Sequence, residues 1–125
     1  MGKIISCKVL IHYFRYEGVL SVTELKKAMR DAHVNRPANR LLHDLRRSDI
    51  SHFNHNQIRD LGLHAEELVK DTKRGEYKSA IVVADKLTYG LVRCAVSHSH
   101  DIVERSARIY YDIDFAIDWL VGLRT

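Results

Sequence analysis

The chain has 125 residues, 46% of them hydrophobic and 29% charged, and a formal net charge of +4 from 20 Lys and Arg against 16 Asp and Glu. That length builds one domain, residues 1–125, with a core that needs neither disulfides nor a structural metal. The signs are interspersed, so the mild basicity permits an acidic partner without marking a nucleic-acid surface. No run approaches the ~18–20 apolar residues of a membrane span.

Lys8, His12 and Arg15 interrupt the apolar region that a secretory leader would need, so none is expected. Cys7 and Cys94 stand among apolar neighbours and read as small buried side chains in a reducing, cytoplasmic compartment. Met1-Gly2-Lys3-Ile4-Ile5-Ser6 matches the myristoylation pattern formally, and the simpler reading is a glycine ahead of a strand.

In chain order, Ile5, Cys7, Val9, Ile11 and Tyr13 alternate with Ser6, Lys8 and His12. Period 2 predicts one long strand with one face buried and one partly open, at a sheet edge or under a second subunit, ended by Tyr16-Glu17-Gly18. Ser21 and Glu24 form a capping box, and Leu20 with Leu25 a hydrophobic staple. Val22, Leu25, Ala28, Met29 and Ala32 then give an apolar helical stripe that Asn35-Arg36-Pro37 stops.

A second strand, Leu41 to Leu45, runs into the polar loop Arg46 to Asn54. Asn54 and Gln57 make another capping box, and Phe53 and Ile58 another staple. The second helix buries Ile58, Leu61, Ala65, Leu68 and Val69, is interrupted in pattern by Gly62, and closes at Lys73-Arg74-Gly75.

Ser79 to Ala84 is apolar without alternation, as in a central parallel strand. Asp85 caps a third helix with Leu87, Leu91, Cys94 and Ala95 inward, where Gly90 would permit close approach to the sheet. A strand from Ala107 to Tyr111 leads to Asp112 as cap of a last helix, with Ile113, Ala116, Ile117 and Leu120 inward. Strands alternating with helices at this spacing predict an α/β fold: one mostly parallel sheet of four to five strands with about four helices.

Gly18-Val-Leu-Ser-Val-Thr-Glu-Leu25, Leu42-His-Asp-Leu-Arg46, Ala84-Asp-Lys-Leu-Thr-Tyr-Gly-Leu-Val-Arg93 and Asp112-Ile-Asp-Phe-Ala-Ile-Asp-Trp-Leu120 resemble successive blocks of the SpoIIAA-like family, bacterial domains of the STAS superfamily. The resemblance covers most of the chain. It implies a single STAS-like α/β domain that binds partners rather than turning over substrate. The chain is accordingly expected to be a non-enzymatic, cytoplasmic interaction module with an unidentified protein partner, working as a homodimer. Anti-sigma-factor antagonists of that superfamily carry a phosphorylatable Ser or Thr at the start of the helix after the matching strand. Here Phe53-Asn54-His55-Asn56 has no hydroxyl, and Ser48 and Ser51 lie earlier in the loop.

The expected interaction surface is therefore Arg46, Arg47, Ser48, Asp49, Ser51, His52, Asn54 and His55. The alternative is a small-molecule or lipid pocket, or a minor active site, at the carboxyl ends of the strands, lined by Asp44, Arg46, Asp85 and Tyr89. No nucleophile beside a base and no phosphate-cradling glycine loop is found, so no catalytic residue, cofactor or metal ligand is assigned. His43, His52, His55 and His64 lack the fixed convergence of a zinc site, and His98-Ser-His100-Asp101 reads as cations at a helix end. The cations Arg40, Arg46, Arg47 and Arg59 lack interleaved aromatics, so no nucleic-acid partner is expected.

Overall fold

A computed structural model describes residues 2–6, 9–35, 39–72, 77–99 and 102–123. The elements are β1 (Gly2–Ser6), β2 (Val9–Val19), α1 (Val22–Arg30), a π turn (Asp31–Asn35), β3 (Arg40–Asp49), α2 (His55–Thr72), β4 (Lys78–Val82), α3 (Lys86–His98), α4 (Ile102–Ser106), β5 (Ala107–Tyr110) and α5 (Ile113–Leu120). They form an α/β fold on one sheet of order β1-β2-β3-β4-β5, in which β1 runs antiparallel and the other four strands run parallel.

Parallel neighbours need crossovers, and crossovers of one hand between strands laid down in sequence order all land on the same face. The three crossovers, carrying α1, α2 and the α3–α4 pair, duly pack on one side, where Leu20, Leu25, Leu45, Ile58, Leu61 and Val92 join one core cluster. After the last strand no crossover remains to be made, and α5 covers the opposite side, packing Ala116, Trp119 and Leu120 on Ile11, Leu42, Ala80 and Val82.

The helix starts follow local chemistry. At Ser21 the capping box is complete: Glu24 N–H donates to Ser21 Oγ at 3.1 Å and Ser21 N–H to Glu24 Oε1 at 3.2 Å. Asn54 and Gln57 repeat the exchange at 2.8 and 2.9 Å. Both staples form, since Leu20, Leu25, Phe53 and Ile58 are all buried. Asp85 accepts from Thr88 N–H, and Asp112 from the N–H groups of Asp114 and Phe115.

Five expectations change. The long first strand is two, paired through Ser6↔Val9, and β2 lies inside the sheet while β1 takes the edge. Alternation passes unbroken from one strand to the next, so periodicity alone carries no mark of the reversal. Glu17 and Gly18 do not end β2; they pair with Arg47 and Ser48, past a register shift between Arg15 and Glu17. Gly90 is exposed with open space around it, and the close approach belongs to Gly62, where a Cβ would stand 2.1 Å from the Ala95 carbonyl oxygen. That contact between α2 and α3 explains a glycine inside a helix that is continuous. Leu87 is 60% exposed, whereas Leu91, Cys94 and Ala95 do pack on the core beside the buried Thr88 and Val92. The signals at 7, 36–37, 73–75 and 100–101 fall outside the described residues.

Candidate functional site

Half of the expected polar loop is strand. Arg46, Arg47, Ser48 and Asp49 belong to β3, which extends past β4 as a two-stranded ribbon with β2 alone. Past β4 this ribbon leaves Arg46, Arg47 and Asp49 exposed, so a polar run is compatible with strand there. The hydroxyls are engaged locally: Ser48 Oγ donates to the Leu45 carbonyl at 2.8 Å, and Ser51 Oγ to Asp49 Oδ1 at 2.6 Å. Asn54 is the cap of α2, and His52, exposed, packs edge-on against Phe53.

The residues expected to line a rim pocket are not brought together as one. Crevices at strand ends arise where the strand order reverses. This sheet has no reversal, and neither of the two pockets found among the described residues is lined by Asp44, Arg46, Asp85 or Tyr89. Asp85 is spent on its helix cap, and Tyr89 packs into the helical core and stacks on Tyr111 at 5.3 Å.

Asp44 and Arg46 do meet, on the α5 side of the sheet. Asp44 is buried and accepts from Arg46 Nε at 2.9 Å, Arg46 Nη2 at 2.8 Å, the Arg46 backbone N–H at 3.1 Å and the Tyr13 hydroxyl at 2.7 Å. The Arg46 guanidinium holds the carboxyl pKa down to about 2, with Tyr13 adding to it against the opposing effect of burial. A carboxylate so fully engaged is a poor proton acceptor at neutral pH. Its geometry is that of a structural clasp between β2 and β3.

The opposite side holds an apolar cavity. Between the sheet and α1, α2, α3 and α4 lies a cavity of about 130 Å³. Its wall is almost entirely carbon, from residues such as Leu25, Met29, Leu61, Ala65, Ala95 and Ala107. None of Asp44, Arg46, Asp85 and Tyr89 contributes to it. Small side chains on α2, α3 and β5 leave the space.

The polar groups on this wall include His43, Tyr16 and Ser79. His43 projects from the middle of β3, stacked by Phe14 at 5.2 Å and Tyr16 at 5.9 Å between ring centroids. Burial without a charged partner lowers its pKa to about 4, so it is neutral at pH 7. Burial likewise drives the Tyr16 pKa well above the usual phenol value, keeping its proton. The Tyr16 hydroxyl lies 2.9 Å from His43 Nδ1. Among the described residues Nδ1 is the one acceptor beside the Tyr16 O–H, and with the phenol as donor the imidazole proton is assigned to Nε2. Nε2 itself makes no hydrogen bond among the described residues, and neither does Ser79 Oγ. The cavity thus offers an apolar volume with an imidazole N–H donor and a hydroxyl on its wall.

The four histidines weighed from the sequence do not converge, among the described residues. His43 is inside, His52 is exposed, and His64 is half-buried with a pKa lowered by burial first and Lys26 second. Only a signal in the strand pattern pointed to His43: an imidazole at an inward position between Leu41 and Leu45. No family model, curated protein or solved structure matches this chain. No helix among the described residues is long and apolar enough to cross a membrane.

Proposed function

We propose that this chain is a non-enzymatic binding domain whose sheet–helix cavity takes a small, mostly apolar molecule carrying one hydrogen-bond acceptor. The supporting observation is the cavity of about 130 Å³ with the unbonded Nε2 of His43 on its wall. Native interiors hold few voids larger than a water molecule. At roughly 24 cal/mol per Å³, leaving this volume unfilled costs about 3 kcal/mol. An apolar occupant recovers that cost, and apolar cavities of ~150 Å³ admit benzene. A single ring or a short acyl chain is the matching size, with a phenol, carbonyl or ester oxygen toward His43.

Thermal denaturation with benzene, phenol, methyl benzoate and hexanoate tests this, because a ligand that binds the native state raises the midpoint by mass action. Probes with an acceptor are expected to raise it, and Ala65→Leu, which fills the cavity, to cancel the rise without lowering the midpoint of the free protein. A panel with no shift at millimolar probe, or shifts that survive Ala65→Leu, would remove this reading.

A second reading is a SpoIIAA-like interaction module, cytoplasmic and homodimeric, that meets its protein partner through the surface from Arg46 to His55. Two exposed apolar side chains favour it: Leu87 at 60% and Tyr111 at 51% follow β4 and β5 at the same end of the sheet as Arg47 and His52. Arg47→Glu is then expected to abolish capture of the partner while leaving the thermal midpoint nearly unchanged. Retained capture would exclude that surface.

A further inference from the structure

One grouping of metal-type donors exists among the described residues, and it lies outside the cavity wall. Cys94 and His98 stand four apart on α3, which places them one turn apart on the same helical face. His55, the first residue of α2, meets them from the neighbouring helix. One ligand atom from each, Sγ or an imidazole nitrogen, lies within 4.8 Å of the others. The His55 and His98 rings meet edge to face with centroids 5.1 Å apart.

We propose that His55, Cys94 and His98 bind a zinc-class cation, with the fourth coordination position open to solvent. The donor set argues for the metal. Thiolate and imidazole suit zinc, whereas magnesium and calcium take oxygen ligands. A tetrahedral ion with Zn–N of ~2.0–2.1 Å and Zn–S of ~2.3 Å has donor–donor edges of roughly 3.3–3.6 Å. Ion binding would draw the donors in from their present spacing of up to 4.8 Å, with the exposed His55 side chain as the one that moves.

The scaffold favours the arrangement. The three donors come from two helices locked at the Gly62–Ala95 contact, where no side chain separates the backbones. The Cys94 carbonyl is further tied by the Ser97 hydroxyl at 2.7 Å. His55 is exposed while Cys94 and His98 are half-buried, so an ion reaches them from solvent. Binding forms the thiolate and releases its proton to water. Because the bound ion joins α2 to α3, it also staples two of the helices over the cavity, although the site stands independently of any ligand there.

The test is titration of the reduced, chelator-treated full chain with cobalt(II), followed by zinc. Expected are one equivalent of bound cobalt, intense visible bands of a tetrahedral ion, and a thiolate-to-cobalt charge-transfer band in the near ultraviolet that zinc abolishes. Cys94→Ser should remove the charge-transfer band, and His55→Ala should weaken binding at least tenfold. His52→Ala and Cys7→Ser should leave both features intact. Circular dichroism and the thermal midpoint confirm that each variant is folded. Absence of the charge-transfer band from the unmodified chain, or its persistence in Cys94→Ser, would overturn the site.

Discussion

β3 sends His43 to one face of the sheet and Asp44, its neighbour in sequence, to the other, and the two faces settle a titratable group in opposite ways. On the α5 side Asp44 keeps its charge, because a guanidinium and a phenol supply donors to both oxygens. On the helical side His43 loses its charge, because burial strips the ring of water and its partner, a neutral phenol, supplies no compensating charge. Enclosure alone therefore does not decide protonation; the charge and number of the partners do. On the charged face the Asp44 carboxylate already accepts four hydrogen bonds. The neutral face keeps an unbonded ring nitrogen beside empty volume, and that is where binding is expected.

Acid separates the two faces most sharply. The pKa of His43 in the fold, about 4, is below its ordinary 6.5, so protonation favours the unfolded chain. Its contribution is complete above pH 6.5 and is lost as pH falls toward 4, about 3 kcal/mol in all. Denaturant titrations across that window should show the loss. The double variant Tyr16→Phe with His43→Leu should flatten it, and a slope left unchanged would mean that His43 is not the group responsible.

Asp44 acts in a lower window and more weakly. Its pKa in the fold, about 2, lies below the ordinary 3.8, so its contribution is present above pH 4 and fades as pH falls toward 2. Because Arg46 is 39% exposed and solvent screens the pair, the effect is at most about 2 kcal/mol. Asp44→Asn should lower stability at pH 7 by about that amount while preserving the response to cavity probes. If that response disappears as well, the two faces are coupled rather than separate.

Smallest are the helix caps. Ser21→Ala on the cavity side and Asp112→Ala on the α5 side should each cost about 1 kcal/mol in equilibrium unfolding. Equal costs would assign the contrast between the faces to their titratable groups; unequal costs would point instead to the helices.

The helix starts were legible in the sequence because a capping box is closed by residues three apart. The parallel order of the main strands was legible for a similar reason, since each strand and helix carries its own period. The reversal between β1 and β2 was hidden because alternation is the same on both sides of it. The ribbon formed by Arg46 to Asp49 was hidden because its exposed charges imitate a loop. The cavity is a property of packing, left between Ala65, Ala95, Ala107 and the sheet, and no local pattern encodes it. Cys94 read as an inert buried thiol until α2 brought His55 beside it.

The chain's single tryptophan sits on the far side of the sheet from the cavity. Trp119 is 5% exposed, with Lys78 Nζ 5.1 Å and the Arg108 guanidinium 4.9 Å from its ring centroid. Its fluorescence is accordingly a built-in gauge of unfolding, blue-shifted while α5 stays docked and moving to the red when it leaves. A molecule entering the cavity has the whole sheet between itself and the indole. Emission from Trp119 should stay constant as such a molecule binds, while absorbance or fluorescence changes from Tyr16 follow its arrival, giving two optical channels within one unlabelled chain.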